Sequence, residues 1–288
     1  MQNDNLTGIL LMTVSMALFA VEDAFIKLAS TSLPVWQILL SMGIGGIAVF
    51  SALLIMRRER FFPPEAYSKQ ILFRMTGEII GRVFYSLALA LASMSVVATV
   101  LQATPLAVTL GAAVMFKETV GPRRWAAIII GFLGVLLIIR PGFDGFEPAA
   151  LLSILGLVGL TVRDLSTRAA PRSLSNYQLG LYGFVALIPT ALLMRPFSAP
   201  WVTPDPTTWL YLFGISSFGV GAYYLVTAAM RVGEVSAVTP FRYTRILFAL
   251  SVSVVVFSEN IDSLTLVGSG IVIASGVYTI WRENRLRR

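Results

Sequence analysis

The sequence predicts an all-α integral membrane protein of ten transmembrane helices, arranged as two inverted five-helix repeats with both termini cytoplasmic. Three observations predict it. Hydrophobic residues make up 56% of the chain and charged residues only 13%, against about 45–50% and about 25% in ordinary soluble domains. The apolar stretches run about 20 residues between short polar breaks, as a helix crossing a hydrocarbon core of about 30 Å requires. A single ungapped offset of 141 residues also brings the first half onto the second. Glu22 and Asp23 fall on Arg163 and Asp164, Lys27 on Arg168, Ser32 and Leu33 on Ser173 and Leu174, and Trp36 and Gln37 on Tyr177 and Gln178. Further on, Ser95, Val97, Leu106, Val114, Phe116 and Glu118 fall on Ser236, Val238, Leu247, Val255, Phe257 and Glu259. Chance aligns apolar letters easily, but not rare polar ones at both ends of a repeat under one offset. The repeats are 1–141 and 142–288, the second ending in a short basic tail.

Taken in order, helix one covers 6–28. It is longer than the apolar core of about 7–15 residues in a secretory leader and lacks a basic start, so it is expected to stay in the membrane. Glu22 and Asp23 sit toward its outer end. Helix two, 34–56, opens with Trp36 and Gln37, and the break at 57–69 carries Pro63 and Pro64. Helix three, 70–91, places Glu78 and Arg82 four residues apart on one face. They form either a self-satisfied ion pair or a gating or proton-responsive site, because charge at membrane depth is expensive. Helix four, 95–116, contains Gln102 and Pro105, and helix five, 123–140, the small pair Ala127 and Gly131.

Helix six, 149–168, carries Arg163 and Asp164 where helix one carries Glu22 and Asp23. These are either matching gates or interfacial anchors. Helix seven, 175–194, holds Tyr177, Tyr182 and Pro189, and the break at 195–206 carries Pro196, Pro200, Pro204 and Pro206. Helix eight, 207–230, holds Tyr223 and Tyr224. Helix nine, 235–257, runs from Pro240 into Arg242, Tyr243 and Arg245. A guanidinium fork fits a carboxylate bidentately, so Arg242 and Arg245 either grasp a substrate or neutralise acids on neighbouring helices. The deep acids Glu22, Asp23, Glu78 and Asp164 balance Arg82, Arg163, Arg242 and Arg245, which favours internal pairing. Helix ten, 263–282, repeats the small pair as Gly270 and Ala274. Such pairs permit close packing, within one chain or in a homodimer. Pro105, Pro189 and Pro240 each remove a backbone donor and mark either a static kink or a hinge.

Five helices per repeat is an odd number, so the second repeat enters the membrane from the opposite side. With the N-terminus inside, fourteen Lys and Arg fall on inner segments and three on outer ones, as the positive-inside bias requires. That bias accounts for the net charge of +7 without nucleic acid, for which no basic and aromatic module is present. The chain has no Cys and no His. It therefore offers no thiolate nucleophile, no cysteine metal site and no histidine relay, and neither an enzyme, a metal nor a cofactor is expected. A GxxxxGK[ST] phosphate loop is also missing.

Each half closes alike, with FKETVGPRRWAAIIIGFLGVLLIIR from Phe116 and FSENIDSLTLVGSGIVIASGVYTIW from Phe257. An acid follows a helix end, and a small-residue-rich helix then carries a Gly-Val pair, Gly134-Val135 or Gly276-Val277. This resembles the repeat of the EamA-type carriers in the drug/metabolite transporter superfamily, over essentially the whole chain, and is most similar to bacterial exporters of amino acids, aromatic ones included. The resemblance implies a multi-pass protein of the bacterial inner (plasma) membrane. A central cavity would be lined by helices one to four and six to nine, with five and ten outside it. It also implies alternating access, and a small amino acid or metabolite as cargo. A drug or organic-cation exporter is the alternative, and a channel or scaffold without turnover the reading from another class.

Aromatic and amide side chains suit the wall of such a cavity: Tyr85, Gln102, Tyr223 and Tyr243 at depth, with Gln37, Tyr182 and Tyr224. Trp36 and Tyr177 read better as an interfacial belt. Tyr85, Gln102, Tyr223, Arg242 and Tyr243 are thus the expected substrate contacts. Glu78, Arg82, Asp23 and Asp164 are the expected gating or proton-coupling groups, with Glu78 the expected proton carrier if a proton is exchanged. Glu118 and Glu259 are expected to cap the helix that follows each of them.

Overall fold

In the computed structural model, which describes residues 2–115, 121–140, 147–232 and 238–287, every regular element is helical. The α-helices are α1 (Gln2–Ala29), α2 (Val35–Met56), α3 (Lys69–Leu91), α4 (Met94–Leu101), α5 (Thr104–Met115), α6 (Pro122–Ile139), α7 (Leu151–Arg168), α8 (Asn176–Met194), α9 (Pro206–Val232), α10 (Thr244–Phe257) and α11 (Ser263–Arg287). Six helical segments among the described residues are long and apolar enough to cross a membrane, the fourth expected helix counting as one. α3 has the length but carries Arg74, Glu78 and Arg82 mid-helix. α10 is only 14 residues long. Large apolar side chains point outward at mid-helix, as in Ile44 (58% exposed) and Phe213 (70% exposed), the surface expected of a protein solvated by lipid.

Two expected helices are not continuous. The fourth breaks at Gln102 and Ala103 into α4 and α5, and Pro105 is the second residue of α5. Its ring cannot donate and blocks the preceding turn, so the break falls just before it. The ninth is entered through a 3₁₀ turn, Thr239–Tyr243, with Pro240 in its first turn. Pro189, by contrast, lies inside an uninterrupted α8.

Helices pack mainly across the two halves: α1 on α9, α3 on α7, α2 on α8 and α6 on α11. Exchanging the halves by the 141-residue offset maps the first pair onto the second and each of the other two onto itself. The same exchange governs polar contacts. Gln37 donates from Nε2 to the Val202 carbonyl at 2.7 Å and accepts from the Val202 N–H at 3.1 Å. Its repeat equivalent, Gln178, donates to the Arg60 carbonyl at 2.7 Å. Each glutamine thus pins the long loop of the opposite half. Gln178 also closes a capping box with Ser175 at the start of α8.

Glycines set how closely α3 and α7 approach. A Cβ on Gly77 would lie 2.6 Å from the Arg163 backbone nitrogen, and one on Gly81 would lie 2.9 Å from that of Leu160. Backbone meets backbone here, which side chains would forbid, and the contact brings Arg163 beside Glu78. Between α6 and α11 the close approach is made by Gly134 and Gly268, each a Cβ's reach from the other's carbonyl oxygen (3.1 and 2.9 Å). Ala127 is buried and Gly131 packs on Leu106 and Ser275, as expected, but Gly270 and Ala274 are exposed and do not form the helix contact.

Candidate functional site

A cavity of about 400 Å³ lies between the halves. α1, α3, the α4–α5 break, α7, the start of α8, α9, the 3₁₀ turn and α10 supply its wall, while α6 and α11 supply none. α2 reaches only an adjoining space of about 210 Å³, through Phe50. The two cavities share Asn176 and Tyr223 in their walls. All five expected substrate contacts, Tyr85, Gln102, Tyr223, Arg242 and Tyr243, line the larger cavity. The broken fourth helix explains part of this. Gln102 sits at the break, where its Nε2 donates to the Arg242 carbonyl at 3.0 Å and so joins the two interrupted helices across the cavity.

Charged residues form a continuous network at this level. Arg82 lies 3.2 Å from Glu78 and 3.6 Å from Glu22, Glu78 lies 3.7 Å from Arg163, and Arg163 lies 2.8 Å from Asp164. The Glu78 and Arg82 pair therefore exists, but as the middle of a chain linking α1, α3 and α7 rather than as a closed unit. Arg245 lies 2.6 Å from Asp23 and donates to the Tyr85 hydroxyl at 3.0 Å, which ties α10 to α1 and α3. Glu22 and Asp23 are each 1% exposed, so they are buried members of this network and not interfacial anchors. Glu78 is 3% exposed, and neither it nor Asp23 forms part of the cavity wall. Both hold the arginines that do.

The expected balance of deep charges does not survive. Arg74 is 1% exposed and adds a fifth deep arginine to the four acids. Arg82, Arg163 and Arg245 cover those acids between them. Arg74 and Arg242 line the cavity with no ion pair among the described residues. Arg74 donates from Nε to Thr167 Oγ1 at 3.0 Å and from Nη2 to the Tyr223 hydroxyl at 3.2 Å, both neutral, and its Nη1 has no partner. The sequence carried a signal for Arg74: with Glu78 and Arg82 it repeats every four residues along one face of α3.

Other expected wall residues lie elsewhere. Trp36 is 3% exposed and donates from Nε1 to the Ala199 carbonyl at 2.9 Å, beneath the 195–206 loop, so it belongs neither to a lipid-facing belt nor to the cavity. Tyr182 donates to the Phe61 carbonyl at 2.9 Å and anchors the 57–69 loop. Tyr177, under the Arg57 guanidinium at 4.4 Å, and Tyr224 line the smaller cavity. Tyr243 packs directly on Gly276 of α11, with its hydroxyl unpartnered.

One end of the bundle is tied together by carboxylates. Glu259 accepts from the Met94 and Ser95 backbone N–H groups at 2.8 and 3.0 Å and from Ser95 Oγ at 2.7 Å. Glu147 accepts from the Ser93 N–H and Oγ, both at 2.7 Å. Lys27 lies 3.5 Å from Glu259 and donates to the Ala92 carbonyl at 2.6 Å. Glu259 is thus a helix cap, but of α4 in the opposite half rather than of the following α11, which Asp262 caps through Thr265 at 2.9 Å. The orphan N–H groups and positive end of α4 attract these acids. Burial works against a charged Glu259, but the bonds from Ser95 and Met94, with Lys27 alongside, outweigh it and hold the carboxyl below the usual range. Glu118, its repeat equivalent, lies outside the described residues.

Residues 6–140 and 149–281 each match the family model described as the EamA-like transporter family. The chain is 23% identical to an S-adenosylmethionine uptake transporter of Rickettsia prowazekii over 206 residues, covering 71% of this chain and 69% of the relative. It is 28% identical to a riboflavin transporter of Vibrio cholerae over 200 residues, covering 65% of this chain and 63% of the relative, less than two thirds of that protein's length. The pseudopaline exporter CntI of Pseudomonas aeruginosa is 23% identical over 276 residues, covering 93% and 94%. A solved crystal structure superposes over 97% of this chain and 98% of its own with a TM-score of 0.64 at 19% identity, and so has the same fold.

Proposed function

The chain belongs to the EamA-like transporter family, and we propose that it moves small amphipathic metabolites across a bacterial inner membrane by alternating access. The cargo in this reading is amino acids and their derivatives, exported through the cavity between two inverted five-helix repeats, 1–141 and 142–288. One observation carries the reading: the cavity is walled by helices of both halves, and the polar bonds across it tie each half to the other. Rocking one half against the other would open one end while closing the opposite one.

Ten crossings with cytoplasmic termini fit the basic residues, and they make the Lys27 and Glu259 end the outer one. The state described is then closed outside. The Asn176 end of the cavity faces the cytoplasm. Five deep arginines against four acids disfavour an organic cation as cargo. Of the relatives' named substrates, S-adenosylmethionine is itself an amino acid derivative, with a carboxylate and an amine.

Counterflow into liposomes tests this, using radiolabelled phenylalanine, S-adenosylmethionine, riboflavin and one organic cation, each with and without unlabelled compound inside. Saturable uptake of an amino acid or its derivative, accelerated by internal substrate, is expected. Unsaturable flux without acceleration would make the protein a channel, and movement of the cation alone would overturn the cargo assignment.

A further inference from the structure

We infer that Arg74 and Tyr223 form the head-group subsite of this cavity and that it takes the carboxylate of a monoanionic or zwitterionic substrate. The inference rests on the carrier reading above and names the substrate class it leaves open. Arg74 is a guanidinium removed from solvent with only a threonine and a tyrosine as partners. The nearby acid, Glu78, is not in ion-pair contact with it and is already shared by Arg82 and Arg163. A buried charge without a close partner is costly, and three of the other lining arginines each meet a carboxylate.

The donor inventory matches a carboxylate. Of the five N–H groups of Arg74, one on Nε goes to Thr167 and one on Nη2 to Tyr223. Three remain, two of them on Nη1, which is buried and has no hydrogen-bond partner. A bidentate fork to one carboxylate uses two of these three. The Tyr223 hydroxyl accepts from Arg74, so its own O–H is free to donate to the same carboxylate. Arg74 and Arg242 both lack an ion pair among the described residues, but the net excess of five arginines over four acids is one charge, which suits a monoanion better than a phosphate dianion.

Tyr223 also borders the smaller cavity, whose other walls include Phe50, Tyr177, Tyr224 and Val232. An aromatic or aliphatic body can lie there while the carboxylate is held at Arg74.

The test compares each acid with its neutral amide by thermal-shift and calorimetric titration of the purified full-length protein in detergent. Phenylalanine is set against phenylalaninamide, and 3-phenylpropionate against 3-phenylpropanamide. At least one acid should bind about tenfold or more tightly than its amide. Arg74→Gln should abolish that preference, Arg74→Lys should keep part of it, and Tyr223→Phe should lower acid affinity severalfold. No binding of either acid, or an intact preference in Arg74→Gln or in both Arg74 variants, overturns the inference. If Arg74→Gln does not fold, the Arg74→Lys and Tyr223→Phe results decide it. Acid preference without flux in liposomes would leave the subsite standing and defeat the carrier reading, whereas flux indifferent to the carboxylate would do the reverse.

Discussion

Single residues of the network differ in what their loss should cost. Asp23 and Arg245 are joined at 2.6 Å with Asp23 1% exposed, so Asp23→Ala or Arg245→Ala leaves a buried charge unpaired, at about 3–5 kcal/mol. The double variant should cost clearly less than the sum of the two, as thermal unfolding in detergent would show. Glu259 carries a pH dependence. Its folded carboxyl is held below the ordinary glutamate value of about 4.3, so its stabilisation is present above that ordinary value and is lost as pH falls through the folded one. The melting temperature should drop over that interval in the wild type, with a visibly flatter acid limb in Glu259→Gln. An equally steep limb in the variant would assign the acid sensitivity to other groups. Most residues of the site were legible because polar groups at membrane depth are few and stand out. Arg74 shares the four-residue spacing of Glu78 and Arg82 along α3, but spacing and charge counts do not say which arginines meet an acid and which do not. The target of Glu259 lies 165 residues away at Met94, a distance no local cap pattern encodes.

At the scale of elements, the α3–α7 contact is the joint on which the site depends. Gly77 and Gly81 let the backbones touch, and the same contact sets Glu78 beside Arg163. Gly81→Val should therefore part the helices and lower stability by about 1–3 kcal/mol, whereas Gly270→Ala, mid-helix where a Cβ meets nothing within 4 Å, should leave stability unchanged or raise it by up to about 1 kcal/mol in the same unfolding assay. Gly276→Ala should displace the Tyr243 ring from α11 and narrow the cavity it lines, measurable as weakened substrate binding together with a lower melting temperature. Helix order and approximate ends were readable from hydropathy and breaks. The interruptions near Pro105 and Pro240 were readable as bends, but not as the breaks that place Gln102 and Arg242 together. That juxtaposition depends on packing between the halves.

For the whole molecule, the offset that aligns the sequence also organises the contacts. Pairings of α1 with α9 and of α3 with α7 are images of one another, and Gln37 and Gln178 latch opposite long loops. Duplication was legible because rare polar letters survived in both halves, while the asymmetry between the halves was not. Glu78 meets Arg163, but its repeat equivalent is Gly219, against which the Glu22 carboxylate packs at 2.8 Å from a Cβ position. Glu22 turns instead to Arg82. Such departures make one cavity with an excess of arginine out of two similar halves. The most direct measurement of alternating access is the distance across the Lys27 and Glu259 end. The chain has no cysteine, so spin labels can be placed at Thr31→Cys and Asn260→Cys, both exposed positions at that end, and the distance read by electron–electron resonance in nanodiscs. Two separations, with populations that shift when transported substrate is added, are expected. One separation, unchanged by substrate, would contradict the account.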